Sequence, residues 1–362
     1  MNNAISCWII SNSPGELSNW VSPVCHALSK LDRPIETQLF LTPCPFASGT
    51  EINYAKTLPT IVAVHPPQKT LLVALKGDPD LKPEQGVILF LGGDPMYAKR
   101  IHKHYPHLKL LAYTESRITD KAFDRVYTRS EGDLMASRVR YYQPQGRDQV
   151  ARQFGLDPAQ KYAVLFTGSR PRFFRAQYPF MLKIAESLHT LSPVLVISPF
   201  ISDELLAEVQ AKHPTHFPLL RSDESLAFFE LADFLVTIPG SSTAEALYTA
   251  TPMMMILPLN YPETLIFDGL LGLLAHIPGL SYILRKFLIW KFQRTQRFYA
   301  IPNILAQKEV VPERVGILDP KTLAKDIETH HEHAPKIRAT LKAIPRPDCI
   351  AQKIAADIAG YF

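Results

Sequence analysis

Four short stretches each join the end of an apolar run to a glycine and to hydroxyl or charged side chains. The fullest is Thr237-Ile238-Pro239-Gly240-Ser241-Ser242-Thr243-Ala244-Glu245-Ala246-Leu247. Helical spacing after the glycine places Glu245 in the first turns of a helix. Backbone N–H groups at such a helix start carry partial positive charge and suit phosphate, while a nearby carboxylate suits the hydroxyls of a ribose. Capping alone accounts for the serines but less well for the glycine, hydroxyls and glutamate together. Gly240, Ser241, Ser242 and Thr243 are therefore read as a phosphate cradle and Glu245 as a sugar ligand. The second stretch, Phe166-Thr167-Gly168-Ser169-Arg170, has Arg172 and Arg175 close behind. Gly168 and Ser169 offer N–H donors and Arg170 can fork onto a diphosphate, with a solvated arginine cluster as the plainer alternative.

The other two stretches lie in the first half. In Ser13-Pro14-Gly15-Glu16-Leu17-Ser18-Asn19-Trp20, Gly15 permits a tight turn, Ser18 or Asn19 can cap a helix, and Glu16 places a carboxylate beside its start. A well-capped helix with Glu16 on its positive end is the plainer reading. In Leu91-Gly92-Gly93-Asp94-Pro95 the two glycines open room at a strand end, where Asp94 suits proton abstraction. Asp94 equally suits the cap of a helix that has Pro95 in its first position. Glu115 is a weaker third carboxylate.

These stretches need strand ends and helix starts to hold them, and the chain supplies an alternation of apolar runs and helical patterns typical of parallel βαβ units. Strands are expected at Ile5 to Ile10, Ile35 to Leu41, Val87 to Leu91, Leu108 to Ala112 and Arg125 to Thr128, with helices at Leu17 to Leu31 and Tyr97 to His104. A polar segment from Tyr142 to Gln160 reads as a linker. The alternation then restarts with strands at Ala163 to Phe166, Val194 to Ile197, Phe234 to Ile238 and Pro252 to Leu257, and with helices at Gln177 to Leu191, Asp203 to Lys212, Ser225 to Leu231 and Ser242 to Thr249. The expected organisation is α/β: two Rossmann-like doubly wound domains, 1–150 and 151–345, facing a cleft, and a C-terminal helix within 346–362 that packs back on the first domain.

The 362 residues carry a net charge of only +5, which argues against a nucleic-acid binder. Cys7, Cys25, Cys44 and Cys349 form no CxxC pair, so neither a thiolate metal site nor a disulfide framework is expected. His330, His331 and His333 read as a solvated run. Catalytic signatures of serine hydrolases, zinc proteases and P-loop enzymes are absent. With no basic leader at the N-terminus, the chain is expected to stay in the cytoplasm.

Residues 269–308 contain no Asp or Glu, and Arg285, Lys286, Lys291, Arg294 and Arg297 mix there with leucines, phenylalanines and Trp290. Removing those five cations leaves 34 basic against 34 acidic residues. An apolar, cationic segment broken by Pro278 and Gly279 suits the surface of an anionic bilayer rather than a span, so 269–297 is expected to touch the inner face of the cytoplasmic membrane. A buried interdomain helix or the seam of a homodimer is the plainer alternative.

Taken in order, the motifs resemble the lipid-A-disaccharide synthase family, glycosyltransferases of GT-B architecture. Gly15-Glu16-Leu17-Ser18 is similar to the start of that family's GEASGD, Gly93-Asp94 to the end of GID, Gly168-Ser169-Arg170 to PGSR, and Gly240 to Leu247 to SGTATLEAAL. Tyr299-Ala300-Ile301-Pro302-Asn303-Ile304-Leu305-Ala306, followed by Val311-Pro312-Glu313, resembles SLPNLLAG and its PE. Asn19-Trp20 stand where the family has Gly-Asp, and Thr167 where it has Pro. The resemblance implies a UDP-sugar donor on Gly168, Ser169, Arg170, Gly240 to Thr243, Glu245 and Asn303, a lipid-linked acceptor, no metal or separate cofactor, and inversion with Asp94, or else Glu16, as base. Another UDP-sugar enzyme of the same fold, such as a lipid-linked N-acetylglucosaminyltransferase or an epimerase, and a non-catalytic binding homologue are the alternatives.

Overall fold

The computed structural model describes residues 5–44, 47–114, 121–222, 224–260 and 297–362. Glu115 and, apart from Arg297, the segment 269–297 lie outside them. The chain divides into two compact units: residues 1–143 with 199–202 and 345–362, and residues 144–198 with 203–344.

Unit 1 is a parallel sheet of six strands, β1 (Ile5–Ser11), β2 (Ile35–Leu41), β3 (Ile61–His65), β4 (Gly86–Phe90), β5 (Lys109–Thr114) and β6 (Arg125–Thr128), in the order β3-β2-β1-β4-β5-β6. Its described helices before the chain crosses to unit 2 are α1 (Pro14–Glu16), α2 (Ser22–Leu28), α3 (Glu51–Ala55), α4 (Pro67–Lys76), α5 (Pro95–His104) and α6 (Leu134–Tyr141). Alternation along the strands builds two cores. Cys7, Ile9, Leu39 and Leu89 meet one set of helices, and Trp8, Ile10, Phe40, Ile88 and Phe90 meet α4 and α5. Strands covered on both faces read as unbroken apolar runs, which is why β1 and β4 are visible in the sequence.

Unit 2 repeats the plan with β7 (Tyr162–Phe166), β8 (Ser192–Val196), β9 (Leu219–Leu220), β10 (Phe234–Thr237), β11 (Met253–Pro258) and β12 (Glu313–Gly316), ordered β12-β11-β10-β7-β8-β9 and parallel throughout. Its described helices are α7 (Arg147–Gln153), α8 (Pro171–Ala185), α9 (Asp203–Lys212), α10 (Ala227–Leu231), α11 (Ser241–Thr249), α12 (Ile301–Ala306), α13 (Pro320–Glu332) and α14 (Ala334–Ala343). The last helix, α15 (Ala351–Gly360), belongs to unit 1 and buries Ile354, Ala355 and Ile358 in the core that holds Val24 and Leu28. Tyr127 donates to Asp357 at 2.8 Å, and Ser137 Oγ accepts the N–H groups of Ile350 and Ala351 at 2.9 and 3.0 Å.

Three local departures from the expected elements have physical causes. Residues 17–28 are not one regular helix: Leu17–Val21 forms a wide turn in which the Ser22 N–H reaches the Leu17 carbonyl, and Pro23 follows in α2. Helix α8 starts at Pro171, ahead of the expected Gln177, and carries Pro179 in its interior. Strand β3 was not expected, because Ile61–His65 is a half-exposed edge strand rather than a buried apolar run.

Candidate functional site

In each sheet the chain reverses direction of winding once, between β1 and β4 in unit 1 and between β7 and β10 in unit 2. Ligands of open α/β sheets bind outside the carboxyl ends of the strands that flank such a point. All four candidate stretches follow one of those strands: Ser13–Glu16 follows β1, Gly92–Asp94 follows β4, Gly168–Arg170 follows β7 and Gly240–Thr243 follows β10.

In unit 2, Gly240 precedes α11 with φ 144° and ψ −162°, a left-handed conformation that disfavours any side chain although there is open space around the position. The Thr243 hydroxyl donates to the Gly240 carbonyl at 2.8 Å and accepts the Ile301 N–H at 3.1 Å. Ser242 Oγ lies 2.6 Å from Thr237 Oγ1, tying α11 to the strand it leaves. With the Gly240 carbonyl held by Thr243, the Ser241 and Ser242 N–H groups at the helix start have no intrahelical acceptor. Arg170, exposed, stands at the start of α8 with its guanidinium 5.9 Å from the Phe173 ring centroid. Gly168 also has positive φ, 89°, and packs by Ile238. Neither α8 nor α11 has an acid in its first turn, whereas α9 has Asp203 and Glu204. Two helix starts free of negative charge thus share one sheet edge, a setting for an anion. Glu245 is buried one turn further into α11.

Two of the expected donor ligands are committed elsewhere. Asn303 is fully buried and its amide is saturated: Nδ2 donates to Val311 O at 2.8 Å and Glu313 Oε1 at 2.7 Å, and Oδ1 accepts Val310 N at 2.6 Å and Val311 N at 2.9 Å. No capacity is left for a ligand. Asn303 therefore shapes the 303–311 loop instead of binding. The Thr243 side chain is likewise buried and spent on Gly240 and Ile301. Glu313, a role not read from the sequence, accepts the N–H groups of Tyr299 (3.0 Å) and Ala300 (2.9 Å) as well as Asn303. The sequence shows Glu313 only as a member of a resembling motif. Its partners lie ten or more residues away across a loop, and no helical or strand spacing connects them.

In unit 1, Ser13 caps α1 rather than Ser18 or Asn19, and its reciprocal partner is Glu16. Glu16 Oε2 accepts the Asn12 and Ser13 N–H groups at 3.2 Å each, and Gly93 donates to the same carboxylate. Burial outweighs these donors and pushes the Glu16 carboxyl above the ordinary carboxylate range. A Cβ on Gly92 would overlap that carboxylate, and one on Gly93 would crowd Thr42 Oγ1, so the double glycine is required by close approach. Asn19 is buried instead of capping: it donates to Gly15 O at 2.8 Å and accepts Arg138 Nη1 at 2.9 Å, a buried arginine that sequence reasoning passed over. Asp94 is exposed and caps α5, its Oδ1 accepting Met96 N at 2.8 Å. Ser11 Oγ, Asn12 Oδ1 and Thr42 Oγ1 lie buried at this sheet edge without hydrogen-bond partners.

No described helix is long and apolar enough to cross a membrane, and among the described residues no group of three or more His, Cys, Asp or Glu is placed to hold a metal ion.

No family model matches the chain. Over 137 residues it is 28% identical to a lipid-A-disaccharide synthase of Geobacter sulfurreducens, covering 36% of this chain and 35% of that one. Over 194 residues it is 26% identical to the lipid-A-disaccharide synthase of Acinetobacter baylyi, covering 50% and 43%. The chain is similar to these synthases in part. Each match spans less than half of the relative's own length. In three dimensions the whole chain matches a putative UDP-N-acetylglucosamine 2-epimerase from Listeria monocytogenes, with a TM-score of 0.57, 12% identity, and 99% and 97% of the two chains covered. That likeness and the two sheets give the fold: two Rossmann-like domains of GT-B type.

Proposed function

We propose that the chain is a UDP-sugar-dependent glycosyltransferase, related to the lipid-A-disaccharide synthases, that passes a glucosamine-type sugar to a lipid-linked acceptor and releases UDP. The observation that carries this reading is the sheet edge of unit 2, where the starts of α8 and α11, both free of acids, flank the topological switch beside Arg170. The donor diphosphate is assigned to the amides of Gly168, Ser169, Gly240, Ser241 and Ser242 and to Arg170, and the ribose to Glu245. Thr243, Asn303 and Glu313 hold that edge in shape.

Unit 1 is assigned the acceptor. Asp94, exposed at the strand end with one carboxylate oxygen on the α5 cap, takes the proton of the attacking hydroxyl. Glu16 grips Gly93 and so fixes the loop that carries Asp94. The acceptor oxygen then bonds the anomeric carbon from the face opposite the phosphate, the bond from that carbon to phosphate oxygen breaks, and positive helix starts and Arg170 stabilise the departing UDP. No step calls on a metal. The side-chain oxygens Ser11 Oγ, Asn12 Oδ1 and Thr42 Oγ1, left without hydrogen-bond partners, suit hydroxyls or amides of an acceptor. The site of action is the cytoplasmic membrane surface, with 269–297 as one contact.

The test is to incubate the purified chain with UDP-glucosamine-type donors and a glycolipid acceptor, following UDP release and the product lipid by mass spectrometry. UDP release matched by a heavier glycolipid supports the reading. Donor binding without transfer to any lipid acceptor would make the chain a binding homologue.

A further inference from the structure

The outer face of α4 runs against the usual placement of leucine. Leu71, Leu72 and Leu75 are 40%, 48% and 56% exposed, while Thr70, Val73 and Ala74 on the inner side are buried. Residues three and four apart are neighbours on a helix surface, so the three leucines form one patch that continues to Lys76. Helix α5 packs alongside, with His104 at its end against Gly77 at the end of α4, and Met96 on α5 is 41% exposed.

The two helices are alike in charge. Neither contains an Asp or Glu, and between them they carry Lys69, Lys76, Lys99, Arg100 and Lys103. Lys69 is paired with Asp78 on the following loop, where Asp80 is also exposed, while Lys76, Arg100 and Lys103 reach solvent from the helices. A helix of ten residues is about 15 Å long, too short to cross a bilayer but suited to lie in its surface. Two copies of this face brought together would set cations against cations. An anionic surface would meet both the leucines and the charges.

We propose that α4 and α5 form a docking face for an anionic lipid bilayer, with Leu71, Leu72 and Leu75 entering the acyl boundary and Lys76, Arg100 and Lys103 on the headgroups. The proposal uses no residue of 269–297 and does not rest on the glycosyltransferase reading; failure of sugar transfer leaves it standing.

The experiment is co-sedimentation of the full chain with vesicles of phosphatidylcholine, alone or in equal parts with phosphatidylglycerol. The wild type is expected to pellet with the anionic vesicles and to be released by salt. Leu71→Gln/Leu72→Gln/Leu75→Gln should bind about tenfold more weakly at an unchanged melting temperature, since the side chains replaced are exposed. Lys76→Glu/Arg100→Glu/Lys103→Glu should lose binding to the anionic vesicles and provides a second variant should the first misfold. Wild-type pelleting by the leucine variant, or no pelleting by the wild type, overturns the proposal. So does light scattering that shows a dimer dissolved by the leucine substitutions.

Discussion

The proposed mechanism gives Asp94 a second role beside its helix cap, and a single substitution can separate the two. Asparagine caps a helix as well as aspartate does, but it cannot take a proton. Asp94→Asn is therefore expected to melt with the wild type while transfer falls about 10²- to 10⁴-fold, read as UDP release. Asp94→Ala should lose the cap as well, about 1 kcal/mol by chemical denaturation. Glu16 gives a pH signature. Because burial raises its pKa above that of the unfolded chain, the unfolded form ionises first as pH rises. The stability it contributes is complete below the ordinary carboxylate value and declines from about pH 4 upward through the raised pKa. Glu16→Gln should flatten that limb in denaturation midpoints measured across pH, and an unaltered slope would count against the assignment.

Among the elements, the β10–α11 junction is the one whose geometry most depends on distant support. Thr243→Val removes a buried hydroxyl with one donor and one acceptor role, and should cost about 1–3 kcal/mol and weaken UDP binding, with Thr243→Ser restoring both. The doubly covered strands were legible because Val87 to Phe90 and Phe234 to Val236 are continuous apolar runs with no exposed face. The glycines were legible because Gly92, Gly93, Gly168 and Gly240 each end such a run. Strand β3 and α4 were not, since half-exposed Ile61–His65 and a helix with leucines outward violate the expected polarity. Nor was the Asn303–Glu313 pairing, which a loop brings together without periodicity. That pairing explains why an asparagine that looks like a ligand in the sequence is consumed by the protein itself.

For the whole molecule, the return of the chain to unit 1 makes α15 part of its core rather than a tail. Ile354 is fully buried there, so Ile354→Ala should cost about 2–5 kcal/mol and lower the melting transition of unit 1. An unchanged melting curve would show that α15 is dispensable. Pro144 and Gly146 in the polar stretch begin unit 2, and helix α7, from Arg147 onward, packs with α10. Two topological switch points carry the motifs, one in each sheet. The central claim is that unit 2 binds a uridine diphosphate sugar at the starts of α8 and α11. Titration calorimetry with UDP tests it most directly. One UDP per chain is predicted, retained in Asp94→Asn and lost in Gly240→Val, whose side chain cannot adopt the required backbone; absence of binding by the wild type, or equal binding by Gly240→Val, would contradict it.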